Sequence, residues 1–318
     1  MLDLVNTGGR KIVKNPKRYV SLNNYLKEKF GSRVHKVPLD AGFTCPNRDG
    51  SKSVGGCIYC NNLGSGTGAS QENKSIEKQM EEGINYLSKR FKARKFIAYF
   101  QSYSNSYGPV EKLKKLYDSS LIDERVVGLS IGTRPDCLNK EILDLLEDYR
   151  KKNYMVWLEI GLQSSHNKTL ELINRRHTFE DFISALDRAK ERGLLVCTHI
   201  IFGLPGEDYN DMMETAKKLS KLPVDGVKFH SLYVIKGTPM EKLLHEGIYK
   251  PITEEEYVNI VCEAISLLPE QVVIQRLTGD PKRGELVEPQ WTLNKQKTLS
   301  LIEKNLVEKD LWQGKFFI

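Results

Sequence analysis

Short apolar runs alternate along this chain with longer stretches in which apolar residues recur at helical spacing. The pattern predicts strands and amphipathic helices in turn. VHKVPLD (34–40) reads as a first strand and leads into a glycine-rich stretch reaching residue 70. A helix is expected from about Ser75, where Ile76, Met80, Ile84, Leu87 and Phe91 fall on one face. KFIAYFQ (95–101) is a strand, a short helix lies around 109–118, and RVVGLSIGTRPD (125–136) holds the next strand. LNKEILDLLEDYRKK (138–152) is helical, and MVWLEIGLQS (155–164) is a strand that turns polar at its end. A helical stretch over 166–192 is expected to break near Arg175–Thr178. LLVCTHIIFGLPGED (194–208) and DGVKFHSLYVI (225–235) supply two further strands. Thr253 and Glu256 make a capping box for a helix ending at Pro269. VVIQRL (272–277) is a candidate last strand, and a mostly helical tail follows.

Repeated strand–helix alternation argues for βα units on a parallel sheet. The expected fold class is α/β, a partial (β/α)6 TIM-type barrel with terminal extensions, because right-handed crossovers curl such a sheet. No internal repeat, low-complexity tract or linker breaks the pattern, so one main domain is expected. Its parts are a basic N-terminal extension over 1–33, a barrel core over 34–250, and a C-terminal extension over 251–318 packed on the barrel. Polar residues gather where strands end, at Gln101, Thr133-Arg134, Glu159–Gln163, Gly203–Glu207 and Lys228–Tyr233. Active sites of (β/α) barrels lie at the carboxyl ends of the strands, which marks these residues as candidates.

The stretch CPNRDGSKSVGGCIYC (45–60) places Cys45, Cys57 and Cys60 in one glycine-rich loop. Three thiolates from a short loop suit an iron–sulfur cluster with one iron left without a protein ligand. Zinc is the alternative, but a structural zinc site wants four N/S ligands and no fourth lies in the loop. His35, Cys137 and Cys197 are available only through the fold. Six cysteines without framework-like spacing suit a reducing compartment, so a cytoplasmic location is expected. No apolar run approaches the roughly eighteen residues of a membrane span, and the N-terminus lacks a signal-peptide core, so no membrane partner is expected.

The net charge of +7 is concentrated. Residues 10–36 hold nine basic side chains against one acid, Glu28, and residues 37–318 sum to about zero. A basic patch ahead of the cysteine loop suits a phosphate-backbone substrate, with Arg10, Lys11, Lys14, Lys17 and Arg18 as candidate nucleic-acid contacts. A solvated arm is the plainer alternative.

The cysteine loop, followed in order by SIGTRPD, LEIGLQS and HIIFGLPGED, resembles the radical SAM superfamily, and within it the YtqA/YhcC subgroup, relatives of the catalytic subunit of Elongator. The similarity runs from about residue 15 to the end and includes RLTGDPKRGELVEPQW in the tail. The resemblance implies a 4Fe-4S cluster on Cys45, Cys57 and Cys60, with S-adenosylmethionine on the open iron. Reductive cleavage then yields a 5′-deoxyadenosyl radical, the cofactors carrying the hard chemistry. It implies that Tyr59 lies near the adenine and that Gly203, in the GLPGE segment, flanks it. Trp157, Glu159, Gly161 and Gln163 share a strand face by the two-residue period, and the resemblance assigns Glu159 and Gln163 to the cofactor's amino group or ribose. Many relatives carry a Gly-Gly-Glu-type motif after the second strand; here Gln101 or Ser102 stands instead.

Lys228 and His230 share a face of the sixth strand, and with His199 they are candidates to bind an anion or move a proton. Arg134 is a candidate for the cofactor's carboxylate or a substrate phosphate. Cys137, Cys197 and Cys262 read as structural. In the tail, Arg276, Asp280, Arg283 and Trp291 make a polar segment with an aromatic, suited to closing the barrel mouth or stacking a base. The subgroup resemblance implies tRNA as substrate, with carboxymethylaminomethyl converted to aminomethyl at C5 of wobble uridine. An electron donor such as flavodoxin or ferredoxin follows from the same chemistry. The rivals are radical chemistry on a small molecule, and a non-catalytic, metal-stabilised RNA-binding protein.

Overall fold

In the computed structural model, which describes residues 17–61, 64 and 74–317, the apolar runs become strands and the periodic stretches become helices. Strands β1 (Val34–Leu39), β2 (Lys95–Phe100), β3 (Val126–Thr133), β4 (Met155–Gln163), β5 (Leu195–Phe202) and β6 (Gly226–Ser231) are neighbours in chain order, all parallel. Parallel neighbours need long crossovers. Helices supply them: α2 (Ile76–Phe91), α3 (Val110–Asp118), α4 (Lys140–Lys151), the pair α5 (Asn167–Leu172) and α6 (Phe179–Glu191), and α7 (Tyr209–Ser220). The break between α5 and α6 falls at residues 173–178, where the sequence pattern fails.

The tail does more than pack against this sheet. After β7 (Val234–Ile235), α8 (Pro239–His245) and α9 (Glu254–Leu267), strand β8 (Val273–Arg276) joins β6 in parallel as a seventh member. The candidate last strand at 272–277 therefore completes the sheet beyond the six βα units. β9 (Leu286–Glu288) pairs antiparallel with β7 above it, and α10 (Lys295–Glu308) lies against α9. Curling brings the first and last strands within side-chain reach, since Lys36 of β1 donates to Gln275 Oε1 of β8 at 2.7 Å.

Alternation along the strands separates two interiors. Phe100, Leu129, Ile131, Leu158, Ile160, Val196, Val227 and Phe229 turn outward into the main core beneath the helices. Ile97, Met155, Trp157, Cys197 and Val273, from inward positions, form a separate cluster with Leu26. Leu26 belongs to α1 (Leu22–Phe30), capped by the Ser21 hydroxyl and ended by Gly31 at φ 66°. α1 thus stoppers the barrel at the amino ends of the strands, with Tyr25 edge-on to Trp157 at 6.2 Å.

This arrangement corrects one expectation. The described part of the basic arm does not stand beside the cysteine loop. Lys17 pairs with Glu303 at 3.2 Å, and Arg18 bonds Asp310 at 2.9 Å and the carbonyls of Leu306 and Leu311. The Val20 carbonyl accepts from Ile274 at the start of β8. Both basic residues are therefore anchored at the amino end, opposite the loop, because α1 must cross that end before β1 can begin. Arg10, Lys11 and Lys14 lie outside the described residues. Among those described, no helix is long and apolar enough to cross a membrane.

Candidate active site

Above the apolar stopper, every strand of the barrel contributes one inward polar side chain to a single layer: Lys36, Tyr99, Ser130, Glu159, His199, Lys228 and Gln275. Glu159 is its centre and is 1% exposed. Its carboxylate accepts from the Lys36 and Lys228 ammonium groups, from Ser130 Oγ at 2.6 Å, and from His199 Nε2 at 3.1 Å. Lys228 also donates to the Tyr99 hydroxyl at 3.1 Å, and both ammoniums stand within 5 Å of that ring's centroid, at 4.9 and 4.7 Å. A buried carboxylate is costly unless charge and hydrogen bonds satisfy it. Here burial alone would raise the Glu159 carboxyl, but Lys228 and Lys36 outweigh it and hold it well below the usual range. Burial, with only partial relief from Glu159, lowers both lysines. Burial followed by Lys228 lowers His199 to about 4, so its ring is neutral near pH 7.

These contacts redefine two candidates. Lys228 is 3% exposed, is spent on Glu159 and Tyr99, and does not border the cavity above. Its contacts hold Glu159 in place from below the cavity floor. Glu159 reaches the cavity, but with its oxygens already taken by four donors.

The third layer is a cavity of about 520 Å³ at the carboxyl ends of the strands. It gathers Cys45, Cys57, Cys60, Tyr59, Gln101, Arg134, Glu159, Gln163, His199 and His230 from across the sequence. Gly203 is not on its wall; its N–H points to Met212 Sδ and its carbonyl accepts from the Tyr249 hydroxyl at 2.8 Å. Gln163 ends β4 with φ 77°, in the region that favours glycine. Such strain costs about 1–3 kcal/mol and persists where surrounding structure fixes it.

The cysteine loop is docked by a segment that carried no chemistry in the sequence reading. Asn174 Nδ2 donates to the Gly56 carbonyl at 2.7 Å, Asn47 donates to the Asn174 carbonyl, and Ile58 N–H bonds Ile173 O at 3.2 Å. Arg175 follows, 8% exposed, donating to Gly161 O at 2.8 Å and His177 Nε2 at 2.9 Å, with Nη1 3.6 Å from Cys57 Sγ. A Cβ on Gly161 would stand 2.6 Å from that guanidinium, so the bare backbone makes its seat. Gly56, at φ 84°, likewise leaves room for Arg48, whose guanidinium ties the carbonyls of Cys60 and Asn61 at 2.9 and 2.6 Å. Lys36, Arg175 and Arg48 escaped the sequence reading. Lys36 carried a signal in its inward parity with Val34, and Arg175 carried one in the polar break of a helix.

The donor set fits the cofactors that the resemblance implies. Three thiols face one cavity beside the buried Arg175 and the half-buried Arg48, cations of the sign that compensates thiolate charge. Arg134 is 2% exposed and bidentate to Asp136, at 2.9 and 3.0 Å, yet its Nη1 is buried without a partner among the described residues. An orphaned guanidinium nitrogen on a cavity wall suits a carboxylate. Cys137, Cys197 and Cys262 are buried; Cys197 sits in the apolar cluster and burial pushes its thiol up to about 12.

Comparison with known proteins agrees with this geometry. The radical SAM superfamily matches residues 45–219, and the radical SAM C-terminal domain matches 224–308. The Bacillus subtilis protein YtqA is 42% identical over 301 residues, which cover 95% of this chain and 93% of YtqA. The tRNA uridine(34) acetyltransferase of Methanocaldococcus jannaschii is 36% identical over 179 residues, 54% of this chain and 31% of that protein. Among solved structures, archaeal Methanocaldococcus infernus Elp3 superposes with a TM-score of 0.69 at 22% identity, covering 88% of this chain and 64% of that one.

Proposed function

This chain belongs to the radical SAM superfamily, and we propose that it turns that chemistry on tRNA, at the C5 side chain of wobble uridine, converting carboxymethylaminomethyl to aminomethyl. The superfamily uses a 4Fe-4S cluster and S-adenosylmethionine, which when bound supply a radical able to take hydrogen from an unactivated carbon. Cys45, Cys57 and Cys60 would hold the cluster. Arg134, through its unpaired Nη1, and Gln163 would orient the cofactor's methionyl and ribose ends, with Tyr59 and Gln101 beside them. The apolar stopper below the charged layer keeps water from entering at the amino end. His199, neutral and bonded to Glu159, offers a proton-holding group at the cavity floor. Flavodoxin or ferredoxin is the class of electron donor proposed.

The observation that carries the tRNA reading is the 179-residue stretch shared with tRNA uridine(34) acetyltransferase. Mass spectrometry of tRNA nucleosides from a strain lacking the gene tests it. Carboxymethylaminomethyl uridine should accumulate and aminomethyl derivatives should vanish. An unchanged nucleoside profile overturns the reading.

A further inference from the structure

The wall of the cavity formed by β6 and β8 carries positive charge that nothing in the described chain neutralises. Arg276, at the carboxyl end of β8, lies in register beside Lys228 and borders the cavity. Among the described residues, its guanidinium makes no hydrogen bond and no ion pair. The nearby carboxylates are committed elsewhere. Glu159 serves Lys36, Lys228, Ser130 and His199; Asp280 bonds Lys295 at 2.9 Å; Glu285 accepts from Asn61 at 3.1 Å. Two lysines share one carboxylate in the layer below, so that layer adds to the excess. His230, two residues beyond Lys228 on the same strand, also borders the cavity, its ring 5.6 Å from that of His199.

A half-buried guanidinium on a cavity wall, without an acceptor among the described residues, is available to an anion, and its planar fork matches a carboxylate through two parallel hydrogen bonds. Arg134 and Arg175 stand on the other side, with Arg175 Nη1 3.6 Å from Cys57 Sγ. We infer that Arg276, with His230 on the same wall, is the receptor for a carboxylate carried by the substrate. The inference rests on the reading of the substrate as a carboxymethylaminomethyl nucleoside, and it gives that side chain's terminal group a place. A backbone phosphate offers similar chemistry, but it belongs to the ribose chain and not to the reacting side chain. Burial, then Arg276, keeps His230 well below its ordinary range, so it meets the anion as a neutral hydrogen-bonding ring.

The test is fluorescence anisotropy with the anaerobically reconstituted full-length protein. The probes are anticodon stem-loop RNAs bearing carboxymethylaminomethyluridine, aminomethyluridine or plain uridine at the wobble position. Wild type should prefer the first. Arg276→Gln should cut that preference roughly ten- to a hundredfold, the size of a charged hydrogen bond, with S-adenosylmethionine affinity unchanged by equilibrium titration. Arg276→Lys keeps the charge without the fork, should fall between the two, and carries the test if the glutamine variant does not fold. An undiminished preference in both variants overturns the inference alone. Equal weakening of all three RNAs assigns Arg276 to a phosphate, and a loss confined to S-adenosylmethionine assigns it to the cofactor; either result overturns the inference. A wild type without preference removes the substrate reading beneath it.

Discussion

Two concentrations of cationic side chains stand at opposite ends of this barrel, and they obey different physics. At the amino end, Lys17 and its partner Glu303 are each 47% exposed, and Arg18 meets an exposed Asp310. Pairs of this kind are worth about 0–1 kcal/mol, because water already solvates both charges. Toward the other end, Arg134, Arg175 and Arg276 line a cavity with Lys36 and Lys228 in the layer beneath it, and all but Arg276 are held by specific acceptors. A charge taken out of water must be compensated in place, so its position is fixed and any unmatched remainder points at the ligand. Net charge along the sequence therefore marks where charge is solvated. The stretch from 37 to 318, nearly neutral in sum, holds most of the cavity's cations.

The largest break is at the thiols. Cys57→Ala should abolish both cluster assembly and S-adenosylmethionine cleavage, read as iron content and deoxyadenosine formation. Cys197→Ala, in the apolar stopper, should leave iron content near wild type. Full turnover by the Cys57 variant would contradict the cluster assignment. Next comes the charged layer. Glu159→Gln strands two ammonium groups in the interior, and breaking a buried pair costs about 3–5 kcal/mol in denaturant unfolding. Removing the excess charge as well, in Glu159→Gln with Lys228→Met, should recover part of that loss. Equal stability of the single variant and wild type would mean that water reaches the layer.

Much of this was legible because it depends on local pattern. The parity of Trp157, Glu159, Gly161 and Gln163 on β4 correctly put them on one face, and they mark its three levels: stopper, charged layer and cavity. The cysteine loop by itself leaves cluster and zinc both open, and it is the ordered motifs after it, SIGTRPD, LEIGLQS and HIIFGLPGED, that favour the cluster. A linear charge tally counts Lys36 with the arm because it cannot see that the strand turns this side chain inward. Its bond to Gln275 spans 239 residues and exists only once the sheet has curled. Arg175 was hidden for a related reason, since a helix break gives no hint that its backbone docks a loop more than a hundred residues earlier. The two-residue strand β7 is too short to show any period at all.

A smaller effect separates the two regions by pH. His199 is held at about 4 against an ordinary 6.5, so between those values the unfolded chain binds a proton that the folded chain refuses. Stability must then fall as pH drops through that window. His177, lowered to about 3, and His230 add in the same direction, and Glu159 extends the loss below the usual carboxylate range. His199→Gln should flatten the decline between about 6.5 and 4 and leave the lower limb intact. An unaltered dependence of the urea midpoint on pH would show that His199 binds its proton equally in the folded and unfolded chains.

The smallest effect is expected where the sequence concentrates its charge. Replacing Lys17 and Arg18 by Ser breaks two exposed pairs, so stability should change by no more than about 1 kcal/mol for each. Their bearing on RNA is read from salt dependence. Each phosphate neutralised contributes about 0.7–0.9 to the slope of log affinity against log salt. Two residues that gripped the backbone would remove about twice that. Both already have acidic or carbonyl partners and lie at the end of the barrel away from the thiols, so the expected change is less than one phosphate's worth. Arg276→Gln supplies the contrast, altering preference among wobble nucleosides while leaving the slope nearly unchanged, because a side-chain carboxylate releases no backbone counterions. Should the Lys17 and Arg18 variant lose a slope of about two phosphates, tRNA reaches round to the amino end. The two cationic regions would then form one continuous binding surface, and the division drawn between them would fail.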